Sequence, residues 1–210
     1  LYGGRYDKAF AFTNSIEAGN KVIANINTIK MYGKARNQTL TRLLLPALKK
    51  ATSFNIEKNL EVVPGDRLAL LATSYANMAS DEVIVETYNA STGLVTFHAN
   101  HTLKYYHWGA QESTGNKFGG VDMRGEVIML SRNIKIIGDA EDHWGGHIIT
   151  ADTAELSKSW KVIVRKGSLY LDWVELQNMG KIDTNHAALR FISATQGKSE
   201  ITHCSLHNGL

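Results

Sequence analysis

The sequence predicts an all-β protein, and three observations support this fold class. Short runs rich in β-branched and aromatic residues recur between turn signals such as Val-Pro-Gly-Asp at 63–66 and Asn-Ala-Ser-Thr-Gly at 89–93. The one helix-like segment, residues 40–51, carries Pro46 where a helix interior would be, so strand or loop is expected there. Finally, two segments near the C-terminus repeat with a fixed spacing.

Taken in chain order, the strand-like runs cover most of the sequence. Their apolar residues either alternate with polar ones or form short continuous runs bounded by turn residues. They span residues 21–33, 66–73, 82–98, 133–138, 161–176 and 187–194. From residue 133 onward the pattern changes to rungs of similar composition.

The rung at 171–178 can be laid over the rung at 201–208 with an offset of 30 residues. Apolar positions then fall on apolar positions, and an asparagine falls on an asparagine: Leu171 on Ile201, Val174 on Cys204, Leu176 on Leu206 and Asn178 on Asn208. A β-solenoid needs this match, because each coil buries its inward side chains only against the coils above and below it. Cys204 is therefore expected to be a small, inward-facing apolar residue.

The composition excludes several classes of function. Hydrophobic residues make up 43% of the 210 residues, which suffices for a packed core. The net charge of +3 arises from 23 basic and 20 acidic residues without blocks, so no nucleic-acid partner is predicted. No membrane span, metal site or cofactor is predicted, and one cysteine cannot form an internal disulfide. The start lacks an initiator Met and a signal peptide, which indicates an excised fragment.

Three sequons fit the N-glycosylation pattern. They begin at Asn37, Asn89 and Asn100, and each lies in or beside a turn-like stretch. About one sequon is expected by chance in a chain of this size. The excess favours a secreted or cell-surface protein whose sequon asparagines are exposed.

The segment "GVDMRGEVIMLSRNIKIIG" at 120–138, followed by "WGGHI" at 144–148, resembles a family with a G8 domain and a parallel β-helix. This family includes fibrocystin-L and the cell-surface and secreted hyaluronidases of the cell migration-inducing type. The similarity extends upstream through "LYGGR", "INTIKMYGKARNQTLTRL" and "VVPGDRLALLATSY", and downstream through "VELQNMG" and "ITHCSLHNG". It thus covers nearly the whole chain.

The resemblance implies an architecture and a location. Residues 1–30 would be the end of a G8-like domain, 31–130 a β-rich, barrel-like bridging module, and 131–210 the first coils of a right-handed parallel β-helix. The protein would be extracellular or at the cell surface, including cilia. Its partners would be extracellular proteins, glycans and the rest of its own larger chain.

Two departures from the family bear on activity. The hyaluronidases carry a lectin-like insert for which this chain has no room, so its spacing is closer to that of fibrocystin-L. Relatives also have a Tyr-Pro-Ile-His-x-His cluster where this chain reads Asp183-Thr-Asn-His186-Ala-Ala188. His186 falls on the first family histidine, and Ala188 replaces the second.

A pair of carboxylates and two arginines interrupt the apolar stretch at 120–138: Asp122, Arg124, Glu126 and Arg132. Paired carboxylates are the usual acid and base of glycoside cleavage, so a polysaccharide site is one interpretation. Period-2 alternation, however, places Arg124 between Asp122 and Glu126 on one strand face, where the three can neutralise one another. The favoured interpretation is a structural ion-pair cluster at the joint between the first β module and the solenoid.

The histidines give two further candidates. His143 and His147 bracket Trp-Gly-Gly and could be read as two metal ligands. An i, i+4 pair shares a face only on a helix, however, and this segment indicates a turn entering a strand, so no metal site is predicted here. His186, Asp183 and His203 lie on successive predicted rungs and could provide general acid and base chemistry. Inert polar stacking is favoured over catalysis, because the second family histidine is missing.

The densest aromatic run, Tyr105-Tyr106-His107-Trp108, could stack on sugar rings. The alternative, which we favour, is a strand that places Tyr105 and His107 on one face and Tyr106 and Trp108 on the other. The sequence as a whole thus predicts a non-enzymatic structural or adhesive module. A glycan depolymerase of the hyaluronidase type and a glycan-binding β-helix are the alternatives.

Overall fold

A computed structural model describes residues 10–13, 16–76, 78–109, 117–118, 121–141, 143–194 and 197–210, with 10–13 and 117–118 described in their backbone only. Every regular element in these ranges is a β-strand, so the all-β prediction is confirmed. The chain divides into two compact units. The first combines residues 1–34 with 132–210, and the second contains residues 35–131.

The first unit begins with four strands: β1 (Phe10–Thr13), β2 (Ile16–Ala18), β3 (Val22–Asn25) and β4 (Thr28–Tyr32). β1 and β2 form an antiparallel pair. β3 and β4 do not pair with each other but join strands that follow much later in the chain.

The second unit contains the next eight strands: β5 (Leu40–Arg42), β6 (Ser53–Asn55), β7 (Arg67–Leu70), β8 (Asp81–Asn89), β9 (Leu94–Phe97), β10 (Lys117–Phe118), β11 (Val121–Asp122) and β12 (Glu126–Met129). Six of them form an antiparallel sheet in the order β5-β12-β7-β8-β9-β6. An antiparallel bridge between Leu43 and Ile56, the residues directly after β5 and β6, links the two edges of this sheet. Residues 40–51 contain no helix, as Pro46 predicts.

Alternation explains the core of this second unit. In β8 the side chains of Asp81, Val83 and Val85 are buried, while Glu82 and Glu86 are exposed. Inward residues of the six-stranded sheet form one apolar cluster with Phe54, Leu68, Val95, Phe97 and Met129 among its members. The turn predicted at 89–93 joins β8 to β9.

The first unit resumes with ten strands: β13 (Ile134–Ile137), β14 (Trp144–Ala151), β15 (Thr153–Leu156), β16 (Val162–Arg165), β17 (Ser168–Asp172), β18 (Val174–Gln177), β19 (Gly180–Lys181), β20 (Leu189–Ile192), β21 (Glu200–Thr202) and β22 (Ser205–His207). Nine described strands of this unit pair in parallel, in three sets of three: β3-β14-β20, β4-β17-β21 and β13-β18-β22. β19 joins the first set by an antiparallel pairing with β14. β15 and β16 form an antiparallel hairpin beside them.

Two of these parallel pairings, β17 with β21 and β18 with β22, reproduce the predicted offset of 30. Leu171 pairs with Ile201, and Leu176 pairs with Leu206. Val174, Leu176 and Met179 are buried in one apolar cluster, and Cys204 packs against it as predicted. The repeat in the sequence therefore reflects side chains that lie one above another on neighbouring strands.

The two compact units do not coincide with the predicted domain limits, which stay predictions. The prediction separated residues 1–30 from 131–210, whereas the structure places both in the first unit. The reason is long-range pairing: Ile23 lies opposite Ile148, and Ile29 lies opposite Leu169. Residues 35–131 are thus inserted between β4 and β13. The two ends of this insertion lie next to each other in the first unit, as the hydrogen bond from Lys34 N to Asn133 Oδ1 at 2.6 Å shows.

Close approach of two backbones explains a glycine of the WGGHI motif. A Cβ at Gly145 would lie 1.5 Å from the carbonyl oxygen of Asn178, so no side chain fits there. All eight residues of β14 are buried, because this strand is central in its sheet and covered on both faces. The strand begins at Trp144, so Gly145 and Gly146 lie within it and not in the turn that the sequence predicts there.

Candidate functional site

Asp122, Arg124 and Glu126 lie in one ion-pair cluster, whereas Arg132 lies elsewhere. In the second unit, Arg124 is 9% exposed and binds two carboxylates. Its Nη2 atom lies 2.6 Å from Asp122 Oδ2 and 2.6 Å from Glu57 Oε1. The pairing with Asp122 is as predicted, and the hydrogen bond from Arg124 lowers the pKa of Asp122 to about 2.

Glu126 joins this cluster through Arg42, whose Nε lies 3.8 Å from Asp122 Oδ2, and only Arg132 departs from the predicted group. Glu126 Oε1 lies 2.7 Å from Arg42 Nη2 on the adjacent strand β5. Arg132 belongs to the first unit, where its Nε donates to the carbonyl oxygen of His203 at 2.7 Å and its guanidinium lies over the ring of Trp173. Period-2 alternation fails here because residues 123–125 are not in a strand.

The predicted catalytic constellation is divided between two corners of the parallel sheets. His203 lies between β21 and β22. Its Nδ1 is 2.8 Å from Asp172 Oδ1, and its ring stacks on Trp173 at 5.0 Å. This hydrogen bond from His203 is the largest cause that lowers the pKa of Asp172. His186 and Asp183 lie between β19 and β20 instead, and Asp183 is exposed.

His186 belongs to a group of rings that the sequence did not predict. Its ring lies 5.7 Å from that of Trp144 and 5.4 Å from that of His147, both on β14. Arg190 Nη1 lies 3.2 Å from His186 Nδ1, so this nitrogen acts as the acceptor. Burial, and then the charges of Arg190 and Lys181, lower the pKa of His186, which favours the neutral imidazole.

His147 is fully buried, and burial lowers its pKa to about 4. Its Nε2 accepts a weak hydrogen bond from Gly19 N at 3.4 Å, while its Nδ1 has no hydrogen-bond partner within the described residues. His143, the other half of the candidate metal pair, is exposed in the preceding turn. The two imidazoles therefore lie in different environments, and no potential metal-binding group of three His, Cys, Asp or Glu residues occurs in the described ranges.

Two buried charges of the first unit also had no signal in the sequence. Lys21 is 1% exposed, and its Nζ donates to the carbonyl oxygen of Trp144 at 2.7 Å. Glu175 is 1% exposed and lies 3.2 Å from Lys135 Nζ and 3.3 Å from His207 Nε2. Lys135 and Glu175 are direct neighbours in the parallel register, so this ion pair links two strands of one sheet.

The aromatic run at 105–108 differs from the predicted alternation. Tyr105 and Tyr106 are 40% and 48% exposed, whereas His107 is fully buried with its Nε2 3.0 Å from Asp81 Oδ2. Only His107 forms a bridge to another segment, opposite Ala47. Both tyrosines are therefore on the surface of the second unit.

The three sequon asparagines are exposed, as predicted. Asn89 ends β8, and its Oδ1 accepts a hydrogen bond from Ser91 Oγ at 2.6 Å within the turn. Asn37 Nδ2 donates to the carbonyl oxygen of Asn59 at 2.6 Å. Whether any of them carries a glycan stays a prediction.

Comparison with known proteins supports the resemblance seen in the motifs. A Dictyostelium discoideum protein is 26% identical over 92% of this chain, and human fibrocystin-L is 21% identical over 100% of it. A zebrafish protein named cell surface hyaluronidase is 28% identical over 56% of the chain. The chain spans 19%, 5% and 8% of the lengths of these three relatives, respectively.

No protein-family model matches the chain. Within the residues that the structure describes, no helix has the length and hydrophobicity needed to cross a membrane. The resemblance to fibrocystin-L, the hyaluronidases and G8 domain-containing proteins is nevertheless confirmed at the level of sequence.

Proposed function

Because this chain is a relative of fibrocystin-L and the cell-surface hyaluronidases, we propose that it is a non-enzymatic structural or adhesive module of a large extracellular or cell-surface protein. Residues 16–34 and 132–210 would be the first coils of a right-handed parallel β-helix. Three sets of parallel strands support this interpretation, and two of their pairings, β17 with β21 and β18 with β22, have an offset of 30 residues. The N-terminal strands would continue from a G8-like domain, and residues 35–131 would be the bridging module.

The separation of the candidate catalytic residues is the observation that supports a non-enzymatic role. General acid–base cleavage needs two titratable groups on either side of one substrate bond. His203 is instead paired with Asp172 and stacked on Trp173, while His186 faces Arg190 and the ring of Trp144. Ala188, in place of the second family histidine, removes a further group.

A depolymerisation assay tests the proposal. High-molecular-mass hyaluronan is incubated with the protein, and its chain length is followed by gel electrophoresis, with the zebrafish relative as positive control. We expect no shortening. Shortening that disappears in the His186→Ala variant would instead establish the hyaluronidase-type alternative.

Glycan binding without cleavage is a second candidate, favoured by the exposed Tyr105 and Tyr106. Lys104 precedes these tyrosines and is exposed, and the exposed Lys49 and Lys50 lie on the segment that pairs with theirs, through Ala47 with His107 and Lys50 N with Leu103 O at 2.7 Å. Retention on immobilised hyaluronan, lost in a Tyr105→Ala, Tyr106→Ala double variant, would support this role. An extracellular location agrees with the name of the zebrafish relative, and a ciliary location stays a prediction.

A further inference from the structure

A cavity of about 500 Å³ lies in the first unit, between the base of the β15–β16 hairpin and the parallel sheet β4-β17-β21. The hairpin contributes its last strand and the link to β17, and the sheet contributes β4 and β17. Residues before β21 complete the wall. Its lining consists of Ile26, Asn27, Thr28, Val164, Arg165, Lys166, Ser168, Tyr170, Gly197 and Lys198.

The lining carries three cations and no carboxylate. Arg165 is partly neutralised, because its Nη2 lies 3.0 Å from Glu155 Oε1 across the hairpin. Lys166 and Lys198 form no ion pair with any described residue. Positive charges that line one concave surface repel each other and raise the local concentration of anions.

Neutral groups of the lining are suited to the uncharged part of a ligand. Asn27, Thr28 and Ser168 supply polar groups, and Tyr170 presents a half-buried aromatic ring. Lys30 Nζ lies over this ring, 5.3 Å from its centroid, which adds a fourth cation at the edge. Glu200 pairs with Tyr170 on the neighbouring strand but is not part of the lining.

Gly197 lies too close to the first residue of β17 and the residue before it to carry a side chain. A Cβ there would lie 2.1 Å from the carbonyl oxygen of Gly167 and 2.7 Å from Ser168 Oγ. The absence of a side chain lets the 197–198 segment approach β17 closely, so Lys198 reaches the same cavity as Lys166. The two lysines come from segments about 30 residues apart in sequence, which is the spacing of neighbouring rungs.

We propose that this cavity binds a small ligand in which a compact oxyanion, such as sulfate, phosphate or carboxylate, is attached to a sugar-sized ring. The oxyanion is held by Lys166 and Lys198, with Arg165 beside them, through charge-assisted hydrogen bonds. The ring packs on Tyr170. The inference rests on the charge and volume of the cavity and is independent of the function proposed above.

Titration calorimetry at low ionic strength tests this site with three probes: inorganic sulfate, a sulfated disaccharide and the same disaccharide without sulfate. We expect the sulfated sugar to bind most tightly, inorganic sulfate to bind more weakly, and the unsulfated sugar not to bind. Lys166→Gln and Lys198→Gln should each weaken binding about tenfold, the usual effect of losing one charge-assisted hydrogen bond.

Lys158→Gln is the matched control, because Lys158 is an exposed lysine in the loop between β15 and β16 that does not line the cavity. Its affinity for the sulfated sugar should equal that of the unchanged protein. Failure of the sulfated sugar to bind, or equal effects of the three lysine substitutions, would overturn the site. Equal affinity for inorganic sulfate and the sulfated sugar would overturn the role of Tyr170.

Discussion

Several corner residues of the parallel sheets have a left-handed backbone. Asn178 and Asn208 have φ values of 54° and 51°, and Trp173 and His203 have values of 56° and 49°. Each pair is separated by 30 residues, so equivalent corners of neighbouring rungs bend in the same way. Asparagine tolerates this conformation better than most residues. The asparagine match seen in the sequence thus has a conformational cause.

This backbone geometry predicts opposite effects of two substitutions at one position. Asn178→Gly should leave the free energy of unfolding within about 0.5 kcal/mol of the parent, since glycine adopts positive φ readily. Asn178→Val should lower it by about 1–2 kcal/mol, because a β-branched residue is strained there. Urea unfolding followed by tryptophan fluorescence measures both. Equal stability of the two variants would contradict a left-handed corner.

The Arg124 ion pairs predict a stability loss on substitution by Met. Arg124→Met leaves Asp122 and Glu57 without their shared cation, and loss of one partner of a buried pair costs about 3–5 kcal/mol. Water reaches both carboxylates, so we expect about 2–3 kcal/mol here. Thermal or urea unfolding checks the value.

Arg67→Met is the control for this experiment, since its ion pair with Glu82 is longer, at 3.6 Å, and more exposed. It should cost less than about 1 kcal/mol. An Arg124→Met protein as stable as the parent that fails to bind or cleave glycans would mean that Arg124 belongs to a functional surface.

Burial of His147 predicts an acid-sensitive step in stability. Its pKa is about 4 in the folded protein and near 6.5 when unfolded, so the unfolded chain binds the extra proton first. The stability contributed by neutral His147 is complete above pH 6.5 and is lost as the pH falls towards 4. The loss amounts to at most about 3 kcal/mol.

His147→Gln should remove this step while keeping an acceptor for Gly19 N. Unfolding free energies measured from pH 7 to pH 4 should then fall less steeply for the variant than for the parent. Parallel curves would show that His147 is protonated as readily in the folded protein as in the unfolded one.

Local pattern could predict only part of the residue-scale contacts. Arg124 and Asp122 are two residues apart, so their pairing follows from the sequence. Glu57 and Arg42 come from segments 67 and 84 residues away from their partners, Arg124 and Glu126, and no local pattern marks them. The ring group around His147 was missed for the same reason, since Trp144 and His186 meet only after the sheets stack.

At the scale of elements, strands with one buried face were predictable, and strand partners were predictable only where the 30-residue repeat marks them. The 30-residue offset predicted the register of β17 with β21 and of β18 with β22, because inward side chains must stack. Residues 161–176 form one strand-like run in the sequence. In the structure they contain β16, which pairs antiparallel with β15, and β17, which pairs in parallel with β4. An apolar run indicates a strand but does not indicate which strand it pairs with.

The scale of the whole molecule was the hardest to predict, because an insertion splits the first unit. Residues 35–131 separate β4 from β13, and the strands on either side pair with the same later rungs. Pairings such as Ile23 with Ile148 span more than a hundred residues. Because no local pattern marks such distant pairings, the sequence predicts that residues 1–30 belong to a preceding G8-like domain.

Exposure of the sequon asparagines predicts the mass of the protein made in a secretory host. Asn37, Asn89 and Asn100 can each carry a glycan without displacing core residues. Intact mass should fall after enzymatic deglycosylation, and an Asn89→Gln variant should show a smaller fall if that site is used. An unchanged mass of the native protein would argue against passage through the secretory pathway.

Disulfide trapping tests the stacking of the rungs most directly, because Cys204 is the single cysteine of the chain. Val174 and Cys204 precede the paired residues Glu175 and Ser205, and both side chains belong to the same apolar cluster. Neighbouring strands lie about 4.8 Å apart, within the Cα separation of a disulfide. Ile134 pairs with Val174 on the other side, so it lies about 9.6 Å from Cys204, beyond disulfide reach.

Val174→Cys and Ile134→Cys variants are therefore oxidised under mild conditions, and free thiols are counted in the unfolded proteins. Stacked rungs predict that Val174→Cys closes a disulfide with Cys204 and shows no free thiol, while Ile134→Cys keeps both thiols free. Two free thiols in Val174→Cys, or equal oxidation of the two variants, would contradict the parallel stacking on which the proposed structural role depends.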